Sequence, residues 1–73
     1  MPIGMFSHNH HQEEAALKWT VYHNLGTRAP VVDIITEYEG VTQKIIPQAV
    51  KVVDKRTVEI YFSVPRAGIA AIR

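Results

Sequence analysis

The sequence predicts an all-β protein, a small antiparallel β-sandwich or open barrel of about six strands with an extended N-terminal arm. Apolar and polar residues alternate in several short runs after residue 16, which is the period of a strand with one buried face. Turn-forming residues separate these runs at spacings of about 8 to 12 residues, as in small all-β domains. The 73 residues suffice for one domain only, and so short a chain buries a small core.

The first 16 residues, MPIGMFSHNHHQEEAA, show no period-2 pattern, and Pro2 and Gly4 discourage a regular helix. We predict an arm over residues 1–16, with one helical turn near residues 12–16, and a folded domain over residues 17–73. A docking role in a groove of a neighbouring subunit and a terminal tail without a role are both open. The apolar side chains available for docking are Met1, Ile3, Met5 and Phe6.

The strand boundaries follow from alternation and from turn residues. Gly40 marks a turn, and Pro47 cannot donate a ladder hydrogen bond, so it ends a strand. Residues 54–56 form a charged turn before the clearest alternation in the chain, and Pro65 and Gly68 precede the last strand. The predicted strands are 17–22, 31–38, 43–46, 49–53, 57–63 and 69–72. The alternating positions predict a buried set of Trp19, Val21, Val32, Ile34, Val50, Val52, Val58, Ile60 and Phe62.

The stretch WTVYHNLGT, residues 19–27, is predicted to be a corner at which the first strand leaves the sheet. Asn24 and Gly26 tolerate positive φ, and Leu25 between them can fold back onto the core. His23 is in phase with the apolar face and is interpreted as a core residue that links the strand end to the loop. Trp19 is interpreted as core, with one partner for its indole N–H, in preference to a stacking platform for carbohydrate.

Charge and composition exclude several classes of protein. The formal net charge is +1 and the basic residues are dispersed, so we expect no nucleic-acid partner. No apolar run approaches the roughly 20 residues that span a bilayer, and the N-terminus lacks the pattern of a signal peptide, so we expect no membrane insertion. Cysteine is absent, which excludes disulfides and thiolate metal sites.

No catalytic, cofactor-binding or metal site is assigned, and the protein is not expected to be an enzyme. Ser7 and Ser63 lie in no nucleophile motif, and the carboxylates show no spacing typical of an acid and base pair. The glycines lie singly at turns, not in a phosphate-binding loop. His8, His10 and His11 leave one alternative open, because His-x-His in an extended segment points both rings to one side. Three chains could then share a metal ion through His8 and His10.

Some side chains are predicted to suit contacts with a partner. Tyr22 and Tyr61 lie on the polar phase of their strands, where an amphipathic ring suits an interface. Val31, Ile35 and Val53 fall out of phase with the core and leave apolar groups on the outer side of the sheet. These positions predict an oligomer or a partner interface.

The sequence resembles a small β-module of bacteriophage tail-fibre, baseplate and other virion surface proteins. Three motifs carry the resemblance in the same order, a Trp-x-x-x-His-Asn-Leu-Gly corner at 19–26, an Asp-x-x-Thr-Val turn at 54–58, and Pro-x-x-Gly at 65–68. The resemblance covers residues 17–73. In that family the module usually ends a much longer chain, whereas here it follows sixteen residues, which favours a small structural subunit, decoration protein or adaptor.

The resemblance implies a non-enzymatic structural subunit of a bacteriophage virion, made in the host cytoplasm and assembled through its arm and a sheet face. The expected partners are further copies of the chain, with a homotrimer as first choice because the similar fibre proteins are trimeric, and larger phage structural proteins. The alternative function is a carbohydrate or host-receptor-binding module that uses exposed aromatic residues such as Tyr22 and Tyr61 on a host surface glycan.

Overall fold

The described part of the protein is all-β, and its five strands form one open antiparallel sheet. The computed structural model describes residues 7–73, apart from the side chain of Tyr38, and the described part contains no helix long and apolar enough to cross a membrane. The strand order is β1-β5-β2-β3, and β4 pairs separately with β5. The strands are β1 (His8–Tyr22), β2 (Val32–Tyr38), β3 (Val41–Ile45), β4 (Ala49–Asp54) and β5 (Thr57–Ile72).

The long strand β5 organises the sheet because its two halves have different neighbours. Residues 57–61 pair with β1 on one side and β4 on the other, whereas residues 69–72 pair with β1 and β2. The two tight hairpins, β2–β3 and β4–β5, therefore attach to different halves of β5. One core receives side chains from both halves, including Ile60 and Ile72.

The prediction of six strands is wrong at β5, where two predicted strands form a single one. Pro65 and Gly68 were expected to separate them. In the ladder with β1, however, Ala16 pairs with Arg66 and Lys18 pairs with Tyr61, so residues 62–65 have no paired residue in β1. Pro65 therefore removes no donor from this ladder, and the strand bends there without ending.

The boundary at residue 17 and the helical turn at 12–16 also differ from the structure. Residues 8–16 belong to β1, and the ladder with β5 begins at His8, which lies opposite Ile72. The polar sequence concealed this strand because only one of its faces meets the core, and that face carries histidine and glutamine. Residues 1–6 of the predicted arm lie outside the described residues.

The core is close to the predicted one. Six of the nine predicted residues are buried, and Val32 is half-buried against them. Val50 and Val52 are corrections, because each is more than a third exposed. They lie opposite Ile60 and Val58 and so point to the core side, but β4 lies at an edge and no further strand within residues 7–73 covers them. The buried apolar residues are Trp19, Val21, Ile34, Val58, Ile60, Phe62, Ala70 and Ile72.

Candidate functional site

The corner after β1 packs directly on the turn between β4 and β5. The backbone N–H groups of His23 and Asn24 both donate to the carbonyl oxygen of Arg56, at 2.7 and 3.1 Å. The N–H of Thr27 donates to the carbonyl oxygen of Lys55 at 3.0 Å. These three bonds fix the loop of residues 23–27 against the tip of the hairpin, so two segments distant in sequence form one surface.

The local conformation of the corner is the predicted one. Asn24 has φ 56° and Gly26 has φ 71°, the left-handed region that these two residue types tolerate. Leu25 packs against the core, and its N–H donates to Nδ1 of His23 at 3.1 Å. The indole N–H of Trp19 donates to the carbonyl oxygen of Arg66 at 2.9 Å, so its interpretation as a core residue with one partner is confirmed.

His23 is buried, and one of its two ring nitrogens lacks a hydrogen-bond partner within residues 7–73. Since Nδ1 accepts from the N–H of Leu25, the neutral ring carries its proton on Nε2, and this atom has no hydrogen-bond partner among the described residues. Burial lowers the pKa of His23, the charge of His8 lowers it further, and Asp54 opposes both effects. The neutral form is therefore favoured. His23 stabilises the corner through the hydrogen bond that its Nδ1 accepts from Leu25.

A groove opens between the corner and the hairpin tip, with a volume of about 350 Å³. Three cationic residues line it, Arg28, Lys55 and Arg56, together with Gly26 and Asp54. The Asp54 carboxylate accepts from the N–H of Arg56 at 2.7 Å, and this bond is the main cause that lowers the pKa of Asp54. Asp54 thus stabilises the turn as an anion, and the groove has a positive local charge.

The exposed edge of β4 is a second candidate surface. Among the described strands, β4 pairs only with β5, so the backbone groups along its other side are available. Val50 and Val52 are 39% and 38% exposed on the core side of this edge. Ile46, in the segment that leads into β4, is 93% exposed. The edge therefore combines free backbone groups with apolar side chains.

Three apolar residues were predicted to be exposed on the outer side of the sheet, and two of them are. Val31 and Val53 are about half exposed, whereas Ile35 is half-buried opposite Ile69 of β5.

A small groove of about 270 Å³ lies between the end of β3 and the middle of β5. Its lining includes Ile45, Ile46 and Phe62.

The two tyrosines proposed for glycan contacts do not form a joint platform. Tyr22 lies opposite Thr57 and is 59% exposed, so its ring is accessible. Tyr61 lies opposite Lys18, about 13 Å further along the strands at the usual rise per residue. Its hydroxyl donates to the Glu59 carboxylate at 2.8 Å, and the ring is half-buried. Tyr22 alone is freely available.

Asp33 and Glu59 have lowered pKa values, and both form ion pairs with neighbouring basic side chains. Hydrogen bonds first from Arg73 at 2.9 Å and then from Lys44 lower the pKa of Asp33. The hydroxyl of Tyr61 is the main cause that lowers the pKa of Glu59, and the charge of Lys18 adds to it. In each case the anion is favoured, so none of these groups is suited to donate a proton near neutral pH. The geometry defines no acid and base pair from them.

The histidines near the N-terminus point in different directions. His8 and His10 lie opposite Ile72 and Ala70, on the core side of β1, and His11 is exposed. Nε2 of His10 forms a hydrogen bond of 2.8 Å with the side-chain oxygen of Gln12. Within residues 7–73, no three His, Asp or Glu side chains are arranged to hold a metal ion. A metal ion shared by His8 and His10 of three chains stays a hypothesis.

Sequence reasoning identified the corner and the charged turn separately but did not bring them together. Arg28 was not selected at all, because an isolated arginine after a glycine has no distinctive pattern. The useful signal was present in the Asp-Lys-Arg turn, which concentrates two cations at a hairpin tip.

Comparisons with known proteins do not add to this description. No family model matches the chain, and no match was found among the curated proteins or the solved structures.

Proposed function

We propose that the protein is a non-enzymatic structural subunit of a bacteriophage virion, in a tail-fibre, baseplate or capsid-surface position, made in the host cytoplasm. The three sequence motifs similar to virion surface modules support the proposal. The structural observation that carries it is the β4 edge, where core-side valines remain exposed next to fully buried residues of β5. A small core with an uncovered side is stabilised by a further subunit.

The proposal includes an interpretation of how the sheet is shaped. We interpret the bent sheet as a small sandwich or open barrel, because His10 and Trp19 of the same strand come into ring contact across the core. Three of the described strands, β1, β3 and β4, have a free edge. A β-strand from another subunit can pair with such an edge through backbone hydrogen bonds.

The partners in this proposal are further copies of the chain and larger phage structural proteins. A homotrimer is the first choice, by analogy with the fibre proteins that the sequence resembles. The docking segment is reduced to residues 1–6, since residues 8–16 belong to β1. We propose that the apolar side chains of this segment bind in a groove on another subunit. These residues are Met1, Ile3, Met5 and Phe6.

Sedimentation velocity of the full chain tests association through the β4 edge. The wild type is expected to form a defined oligomer, and the double substitution Val50→Lys and Val52→Lys is expected to give a folded monomer. Lysine is tolerated there because both side chains are more than a third exposed. Val64→Lys, at a similarly exposed position in β5, is the matched control and should leave the oligomer intact.

A wild-type chain that stays monomeric at high concentration, and that no virion protein stabilises, would count against the proposal. Equal disruption by Val64→Lys would show that added charge, and not the β4 edge, is responsible. Far-ultraviolet circular dichroism of each variant confirms that its sheet is retained.

The alternative function is recognition of a host-surface glycan. The groove at the corner and the exposed ring of Tyr22 favour it, because a cationic groove and an accessible aromatic ring both occur in polar-ligand sites. A glycan array with the purified chain separates this alternative from a purely structural role.

A further inference from the structure

The groove between the corner and the hairpin tip concentrates the positive charge of the molecule. Three cations and one carboxylate line it, which gives 3 − 1 = +2, whereas the whole chain has a net charge of +1. The rest of the chain, with five basic and six acidic residues, therefore carries −1. The groove thus carries more net formal charge than the rest of the chain.

Asp54 is the counter-charge that lies beside the cations of the groove, and its carboxylate attracts Arg56. Arg28, Lys55 and Arg56 form no salt bridge within residues 7–73, whereas Lys18, Lys44 and Arg73 each pair with a carboxylate. Asp54 is engaged with the turn backbone through the N–H of Arg56. The three cations therefore have hydrogen-bond donors available to a ligand.

The groove is held in place by the main chain. The three bonds from the corner to the carbonyl oxygens of Lys55 and Arg56 use backbone groups only, so the cationic side chains remain free to turn to solvent. A Cβ at Gly26 would meet nothing within 4 Å, which leaves the backbone there open to a ligand. Because the backbone that carries these side chains is already fixed, binding has only the side chains to order, which lowers the ordering cost.

We propose that this groove binds an oxyanion, a carboxylate or phosphate group carried by a sugar-sized ligand. Guanidinium groups match both oxyanions through paired N–H donors, and an ammonium group adds a point charge. The volume of about 350 Å³ lies at the lower end of small-ligand sites and holds an oxyanion together with an attached ring. This site does not depend on the virion role and would remain if the chain had another structural role.

The test is a two-dimensional amide NMR titration of the full chain with inorganic phosphate, glucuronate and glucose in separate arms. Phosphate and glucuronate should both cause saturable shifts at the amides of Gly26, Arg28, Lys55 and Arg56. Glucose, which is neutral, should not. Tighter binding of glucuronate than of phosphate identifies an acidic sugar as the ligand class, and the reverse order identifies a phosphorylated ligand. Added salt should weaken both, as expected for exposed charges.

The double substitution Arg28→Gln and Lys55→Gln should weaken phosphate binding about tenfold, the loss expected for two exposed charge-assisted contacts. Lys51→Gln, an exposed lysine on β4 outside the groove, is the control with the same loss of charge per site and should bind as the wild type does. The same spectra report whether each variant is folded. Shifts that do not saturate, or an equal loss of affinity in Lys51→Gln, would overturn the site.

Discussion

The rings of His10 and Trp19 lie with their centroids 5.9 Å apart and tilted by 48°, although both residues belong to β1. A straight strand would separate them by about 30 Å. Register shifts on both sides of Ala16 allow β1 to fold back, so that its first half covers the second. His10 and Ala16, in the first half of β1, therefore take part in the core packing.

This contact predicts unequal effects for two neighbouring histidines. His10→Ala should lower the free energy of unfolding by about 1 kcal/mol, because it removes a half-buried ring that packs on Trp19. His11→Ala, on the exposed face of the same strand, should stay within about 0.5 kcal/mol of the wild type. Urea denaturation followed by fluorescence of the single tryptophan measures both. Equal effects would show that β1 does not fold back over Trp19.

Stability should fall as the pH falls through about 6.5, the ordinary pKa of histidine. The pKa of His23 in the folded state is lowered, chiefly by burial, so the unfolded chain takes up a proton first and acid favours unfolding. The loss should level off below the folded-state pKa. The carboxylates with lowered pKa values, Asp33, Asp54 and Glu59, lose their contribution only at lower pH, below about 5.

The substitution His23→Asn isolates this effect. Its side-chain oxygen can accept from the N–H of Leu25 as Nδ1 does, but it does not titrate. Urea denaturation at about pH 7.5 and about pH 5 should show a clear difference for the wild type and a much smaller one for the variant. An unchanged pH dependence in the variant would assign the effect to other groups.

Two glycines should respond differently to alanine. At Gly68 a Cβ would overlap the carbonyl oxygen of Ile35 in β2, so Gly68→Ala should cost about 1 to 3 kcal/mol by forcing the strands apart. Gly26 has open space around it but φ 71°, so Gly26→Ala should cost only about 1 kcal/mol. Thermal and urea unfolding compare them, and a larger loss at Gly26 would contradict the close approach of the two strands.

Deletions at the N-terminus should separate the role of the proposed docking segment, residues 1–6, from the stability of the fold. Removal of residues 2–6 should leave the sheet intact and impair assembly, because the ladder with β5 begins at His8. Removal of residues 2–12 should destabilise the sheet itself, since His10 and its neighbours on β1 are lost. Circular dichroism and sedimentation velocity measure the two outcomes. Normal assembly after the shorter deletion would show that the segment is dispensable.

The sequence allowed the fold class and most of the core to be predicted, because period-2 alternation in runs such as residues 57–62 permits only one buried face. The corner was also predictable, since Asn24 and Gly26 are the residue types that adopt positive φ. The exposure of Val50 and Val52 was not predictable, because alternation gives the direction of a side chain and not the presence of a covering strand. An edge and a centre strand have the same pattern.

The first half of β1 and the groove could not be predicted from the sequence, because both depend on contacts between segments that are distant in the chain. His8, His10 and Gln12 alternate toward the core, but their polar character gives no apolar period to detect. The groove arises from backbone bonds between residues 23–27 and the tip of the β4–β5 hairpin. No local pattern in either segment indicates that they meet.

The proposed virion role has one direct test, the protein content of gradient-purified particles of a phage whose genome contains the gene for this chain. Quantitative mass spectrometry should find the protein at a fixed copy number per particle, and gold-labelled antibody should mark one position on the virion. Substitution of Val50 and Val52 by lysine in the phage should reduce the copy number, whereas Val64→Lys should not. Absence of the wild-type protein from infectious, fully assembled particles would contradict the account.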